Sequence, residues 1–231
     1  NLLFELNPYN EKDLLKAHKL MTSELVSESG IYRKGGVGVF KEDKCLHLAP
    51  PADRVPTLIK ELLQWVETTT THPLISSCVF HYEFEFIHPF ADGNGRMGRM
   101  WQTLLLMQWQ PIFAWLPVET IVKEHQQQYY QAIAQSDATA NSTPFITFML
   151  QCILKALQEI EKSNQKSNQK SNQKILSEIR KNPKISIKAL QEITNLSESG
   201  VKKIIRQLRQ DNQIQRIGGA KGGYWQILEE K

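Results

Sequence analysis

His88-Pro89-Phe90-Ala91-Asp92-Gly93-Asn94-Gly95-Arg96-Met97-Gly98-Arg99 sets a base, an acid, a glycine-flanked turn and two guanidiniums within one loop and one helical turn. The turn Gly93-Asn94-Gly95 can present backbone N–H groups to an anion without interference from Cβ atoms. The residues that follow, Arg96 to Met107, have a helical composition, so a positive dipole end and free N–H donors converge on the same point. Arg96 and Arg99, three apart, project from one face of that first turn. The arrangement reads as a polyphosphate site. Asp92 supplies a hard carboxylate that could hold Mg²⁺ together with phosphate oxygens. His88 is the one member that can take a proton near neutral pH. A base, a metal carboxylate and an anion hole suit attack by a hydroxyl on phosphorus, and so transfer of a nucleotidyl or phosphoryl group.

Blander readings fail on spacing. A lone Asp-Gly or Asn-Gly marks an ordinary turn, but eight specified positions together do not arise that way. A calcium loop opening at Asp92 would need a bidentate Glu at its twelfth position, where Thr103 stands. The chain has no G-x-x-x-x-G-K-[ST] and no G-x-G-x-x-G between a strand and a helix.

The segment resembles, at every fixed position, the pattern His-x-Phe-x-Asp-Gly-Asn-Gly-Arg-x-x-Arg of the Fic family of AMP transferases. Gly30-Ile31-Tyr32-Arg33 resembles the family's entry to its substrate-docking flap, and His47-Leu48-Ala49-Pro50-Pro51 its double proline. The resemblance runs from about residue 11 to 155. It implies that His88 deprotonates a protein Ser, Thr or Tyr hydroxyl, and that Asp92 holds Mg²⁺ on the α- and β-phosphates of ATP. It also implies that the N–H groups of Gly93, Asn94 and Gly95 form the anion hole, and that Arg96 and Arg99 grip the distal phosphates. Phe90 would anchor the loop, and Tyr129 and Tyr130 would lie near the base. Asp137 stands where some members place Asn. AMP would join the target and pyrophosphate would leave.

Tyr32 to Leu48 reads as a hairpin, with breaks at Gly35-Gly36 and Lys41-Glu42-Asp43-Lys44. In the family this flap pairs edge to edge with the target segment, here through Val37, Gly38 and Val39. Apolar residues at helical spacing predict helices over Glu11–Val26, Val55–Thr68, Ile75–Phe86, Arg96–Gln108, Val122–Ala134 and Phe145–Ile160. The helix after the motif is apolar nearly all round and should lie in the core. The expected fold is therefore mainly α: a Fic-type helical bundle with a β-hairpin flap over residues 1–160, followed by a second domain.

Between the two lies Ser-Asn-Gln-Lys three times, Ser163 to Lys174, with nothing apolar to bury. It reads as a solvated linker, 161–174, or an exposed helical extension. Charge shifts beyond it. Residues 174–231 hold 12 Lys plus Arg against 6 Asp plus Glu, a net of +6, while the preceding 173 are at −2. Helices Ile175–Lys181, Ile187–Thr194 and Glu198–Asp211, then a Gly-rich hairpin Ile214–Ile227, resemble a winged helix-turn-helix over 175–231. Lys202, Lys203, Arg206, Arg209 and Lys221 are the candidate DNA contacts.

Composition is that of a globular protein, with no run approaching a membrane span and no secretory leader. Cys45, Cys78 and Cys152 lie far apart, which suggests neither disulfides nor zinc and suits a reducing cytoplasm. Asn1 opens the chain without an initiator Met, as a truncated or processed product would. The leading reading is a protein adenylyltransferase. The alternatives are a DNA-binding regulator with a nucleotide-sensing Fic domain, and a Fic transferase of UMP or phosphocholine. A homo-oligomer is compatible with either. Many family members carry an inhibitory [Ser/Thr]-x-x-x-Glu-[Gly/Asn] helix whose Glu pairs with the Arg99 equivalent. Thr57/Glu61, Thr120/Glu124 and Thr194/Glu198 have the spacing but not the following residue, so none qualifies. Either such a helix has been lost, a partner supplies the Glu, or the chain is not held this way, and an unopposed Arg99 would predict high activity.

Overall fold

The computed structural model describes residues 2–26, 28–36, 38–41, 44–219 and 222–228, with the backbone alone at 2–3, 38–41 and 44–48. Mainly α as expected, the chain divides into two compact units, Asn1–Gln158 and Glu159–Lys231.

The first unit is built on four helices whose buried stripes meet. α1 (Glu11–Thr22) starts at Asn10, whose side chain accepts the N–H groups of Lys12 and Asp13. It ends four residues before the sequence pattern suggests. α2 (Val55–Thr68) carries Pro at its first turn and buries Val55, Ile59, Leu62, Leu63 and Val66. α3 (Pro73–Ile87) is capped by the His72 imidazole, which accepts the Leu74 N–H. α4 (Asn94–Trp109) packs against α3. The predicted burial of the helix after the motif holds: Met97, Trp101, Leu104, Leu105 and Leu106 are almost wholly excluded from solvent. Burying each such side chain contributes about 1.5–3 kcal/mol. The Trp101 indole N–H also donates to the Pro8 carbonyl at 2.9 Å. This core fixes the N-terminal end of α4, where positioning chemistry needs rigidity.

Before α2 lies the hairpin β1 (Gly38–Lys41) and β2 (Lys44–Leu48), antiparallel, with Gly38 opposite Leu48 and Val39 opposite His47. The register shifts between Val39 and Phe40. No other strand pairs with β1 among the described residues. Val37 lies outside them.

The segment predicted as a single helix over Val122–Ala134 is two, α5 (Val118–Glu124) and α6 (Gln126–Thr139), parted at His125. α7 runs from Thr143 to Lys181. The Ser-Asn-Gln-Lys repeat is thus helical and almost wholly exposed, and predicted helix Ile175–Lys181 is the end of α7. No residue from Thr143 to Lys181 beyond Pro144 breaks a helix, so polar composition alone does not interrupt it.

In the second unit the end of α7 joins α8 (Ile187–Thr194), α9 (Glu198–Gln210), β3 (Ile214–Ile217) and β4 (Tyr224–Ile227). Ile175, Ile179, Leu190, Val201, Ile205, Leu208 and Trp225 form its core. Ser186 and Ser197 cap α8 and α9 by accepting the N–H groups of Ala189 and Gly200. β3 and β4 pair antiparallel from Ile214–Ile227 to Ile217–Tyr224, making the wing. No described helix is long and apolar enough to cross a membrane.

Candidate active site

The motif loop leaves α3 through His88, which adopts the left-handed conformation (φ 51°, ψ 61°) and donates its N–H to the Phe84 carbonyl. That conformation costs a non-glycine residue roughly 1–2 kcal/mol, and the surroundings enforce it. Arg33, 3% exposed, donates Nε–H to the His88 carbonyl at 2.7 Å and Nη2–H to the Ile87 carbonyl at 3.2 Å. The same guanidinium reaches the carbonyls of Pro50 (2.6 Å) and Gly35 (2.8 Å), and the Arg33 N–H donates to Pro89. One buried cation thus ties the base of the hairpin and the double proline to the catalytic loop.

The middle of the loop is pinned by stacking. Phe90 is fully buried, its ring lying flat on His18 (3.7 Å between centroids, 2° apart) and beside Tyr32. His18 Nδ1 accepts the Gly30 N–H at 2.9 Å, so Nε2 carries the proton and donates to the Asp92 carbonyl at 3.0 Å. Burial lowers the His18 pKa, consistent with a neutral ring whose two nitrogens are both committed. Asn94 closes the loop: its amide donates to the Phe90 carbonyl and accepts the Phe90 N–H, both at 2.8 Å.

Gly93 precedes α4 with φ 87°, a conformation that favours glycine. No side chain caps α4, so the N–H groups of its first turn are left for a ligand. The Gly93 N–H is the exception among those expected to form the anion hole, because it donates to Asp92 Oδ1 at 2.6 Å. The donors at the helix start are therefore those of Asn94, Gly95 and Arg96. The Arg99 guanidinium folds back over Gly95, where a Cβ would lie 3.1 Å from Nη1. Arg96 lies 3.6 Å from Asp92 Oδ2, both largely exposed.

These groups share one cavity of about 520 Å³, whose lining includes His88, Gly95, Arg96 and Arg99 together with Tyr130, Ile133 and Asp137. Tyr130 is half exposed there. Tyr129 is buried, its hydroxyl donating to His81 Nε2 at 3.1 Å and its ring lying 5.9 Å from the Arg99 guanidinium carbon. Burial holds its phenol well above the ordinary range. Tyr129 is therefore a floor under Arg99, and Tyr130 the tyrosine open to a ligand. The Tyr82 hydroxyl donates to Asp137 Oδ1 at 2.7 Å. His88 Nδ1 lies 3.4 Å from the Glu85 carbonyl, which can only accept, leaving Nε2 as the basic nitrogen.

Two features escape sequence reasoning. Arg99 is opposed from within the chain: Glu119 in α5 accepts its Nε–H, and it belongs to none of the three spaced Thr/Glu pairs. The two are twenty residues apart on separate helices, and no motif announces the pair. Glu85 is the other. Its Oε1 is buried beside Gly98, where a Cβ would lie 2.8 Å from it and from His81 Cδ2, so only glycine lets α4 approach α3 this closely. Among the described residues no cluster of three metal-ligating side chains exists. An exposed Asp92 nonetheless suits Mg²⁺, which takes one or two carboxylates and otherwise phosphate and water.

In the second unit, Lys202, Lys203, Arg206 and Arg209 are exposed on α9, opposite buried Val201, Ile205 and Leu208. Lys202 pairs with Glu198 at 2.5 Å. Lys221 lies outside the described residues.

Comparison with known proteins agrees with this geometry. Residues 8–106 match the Fic/DOC family, and residues 169–215 match a winged helix-turn-helix DNA-binding family. A protein adenylyltransferase Fic of Drosophila melanogaster is 30% identical over 123 residues, and a probable protein adenylyltransferase of Aquifex aeolicus is 37% identical over 78. The matches cover 52% and 33% of this chain but span only 23% of each relative. A solved Fic family protein from Desulfovibrio desulfuricans is 39% identical, with a TM-score of 0.67 over 99% of this chain and 72% of that one. Likeness on that scale makes this chain a member of the Fic family with a C-terminal winged helix-turn-helix domain.

Proposed function

We propose that this chain moves AMP from ATP to a Ser, Thr or Tyr hydroxyl of a target protein, releasing pyrophosphate. The observation that carries the reading is His88 sharing a cavity with the uncapped start of α4 and two guanidiniums. His88 Nε2 takes the proton as the acceptor oxygen bonds to the α-phosphorus. The bond from that phosphorus to the bridging oxygen breaks, and pyrophosphate departs held by the N–H groups of Asn94, Gly95 and Arg96 and by Arg99. Asp92 would hold Mg²⁺, which when bound neutralises phosphate charge. The unpaired edge of β1 at Gly38 and Val39 offers the target a strand partner. The test is incubation with Mg²⁺, a cell extract and ATP labelled at α or at γ. Label on protein from α-ATP alone is expected, and label from γ-ATP would sink the reading.

Glu119 competes with the phosphates for Arg99. The pair is partly exposed, so its free energy is about 0.2–1 kcal/mol. Glu119→Ala should therefore tighten ATP by about 1.4- to five-fold in calorimetry. Unchanged or weaker affinity would show that Glu119 positions Arg99 and does not oppose it.

The basic face of α9 and the family match of residues 169–215 support a second role, DNA contact through the second unit. The exposed cations at 202, 203, 206 and 209 would meet phosphates and base edges, with the wing alongside. A DNA-binding regulator that senses nucleotide through the first unit needs no general base, and His88 set in the cavity favours the enzyme.

A further inference from the structure

A second concavity, about 450 Å³, lies on the first unit between α2 and α3. Its floor is apolar. Leu58, Leu62 and Trp65 are one stripe of α2, at helical spacing, and Val79 and Phe86 belong to one stripe of α3. Leu62 belongs to the core at the bottom of the groove, Leu58, Trp65 and Val79 are partly buried above it, and Phe86 is exposed. Ile87 and two carboxylates, Glu61 and Glu83, complete the described lining, which contains no Lys or Arg. Glu61 stands exposed on α2 and Glu83 is half buried on α3. Burial, and then the nearby Asp137, raise the Glu83 carboxyl, as expected of an acid lacking a cation.

The groove borders the cavity that holds His88. Phe86, 39% exposed, lines both, and it stands two residues before His88. Whatever lies in the groove is thus within a few residues' reach of the base, since an extended chain spans about 3.3–3.6 Å per residue.

We propose that this groove seats the target protein's acceptor segment through an apolar side chain on Trp65 and Phe86 and a neighbouring Lys or Arg between Glu61 and Glu83. The inference rests on the reading that the acceptor is a protein hydroxyl. Pairing to the β1 edge reads backbone and tolerates almost any sequence, so it cannot select a target alone. The groove supplies the side-chain selection that the edge lacks, with an aromatic floor for contact area and acidic walls for sign. Like charge is rejected as strongly as opposite charge is welcomed.

The test is selection from a peptide library randomised around a single Ser, Thr or Tyr, by the full chain in the absence of ATP. Enrichment of Lys or Arg beside an apolar residue, about five-fold, is expected. Glu61→Lys with Glu83→Lys should invert the preference to Asp or Glu while leaving ATP affinity unchanged. Glu61→Lys alone sits on the exposed rim and keeps the test valid if the double variant does not fold. No basic enrichment, or enrichment unaltered by these variants, overturns the proposal. So does a dimer, seen by sedimentation, that the variants dissociate without any peptide selection. Because selection is scored without nucleotide, a chain that transfers no AMP still reports on the groove. Label from α-ATP on the selected peptides then tests the activity separately.

Discussion

His88→Ala lowers the rate of AMP transfer by about 10²–10⁴, the range a positioned general base supplies, and leaves ATP affinity within about two-fold. The reasoning separates the two halves of the site. On the proposed reading Nε2 of His88 would meet the acceptor hydroxyl, whereas the nucleotide phosphates would meet the start of α4, Arg96 and Arg99, all of which line the same cavity. The bonds that hold the loop before α4 come from other residues. Asn94 closes the loop onto Phe90, and His18 holds the Asp92 carbonyl. The backbone of residue 88 is held by Arg33 through the carbonyl, which any side chain retains. The left-handed φ of 51° suits Ala somewhat less than His, while Asn tolerates it well. His88→Asn should therefore be inactive and at least as stable as the wild type. Initial rates with α-labelled ATP, alongside calorimetry with ATP, would check both halves. A variant that keeps a tenth or more of the rate would remove His88 from the role of base.

What the sequence made legible was local. The motif lies within twelve residues, and each of its roles follows from residue type at fixed spacing, so its loop and the start of α4 could be read directly. What it hid depends on residues distant in the chain. Arg33 reads as part of a flap entry, but its partners are four carbonyls contributed by residues 35, 50, 87 and 88. No side-chain pattern marks a carbonyl. His18 sits on α1 in a stripe with Leu14, and only the fold brings it against Phe90. The pairing of Arg99 with Glu119 needs the turn between α4 and α5, whose geometry no residue spacing encodes. The break at His125 goes unseen for a related reason. Apolar spacing continues across it, and neither Gly nor Pro stands there.

Arg33→Met destabilises the first unit by about 3–5 kcal/mol, which places it with the buried networks that dominate large mutational effects. All four carbonyls that Arg33 serves are neutral, and among the described residues no carboxylate pairs with it. Burial depresses its pKa, so its charge is held in place by these bonds. Methionine fills similar space but leaves the carbonyls buried without donors, at a cost of about 1–3 kcal/mol each where water cannot reach them. For a chain of this size each kcal/mol moves the melting temperature by about 2–4 °C, so the first unit should melt roughly 6–20 °C lower. Lysine would not rescue it. Its ammonium is a compact donor, and the four acceptors are spread around a planar fork. Activity should fall further than stability at a temperature where the variant remains folded, because the His88 carbonyl is the one that Arg33 grips through Nε. Lys34→Ala, next in sequence and fully outside this network, should leave both unchanged. Thermal melts by circular dichroism, paired with initial rates well below the transition, separate the two effects. A melting shift under about 2 °C for Arg33→Met would mean that the loop is held by Phe90 and Asn94 alone, and that the buried guanidinium only fills space.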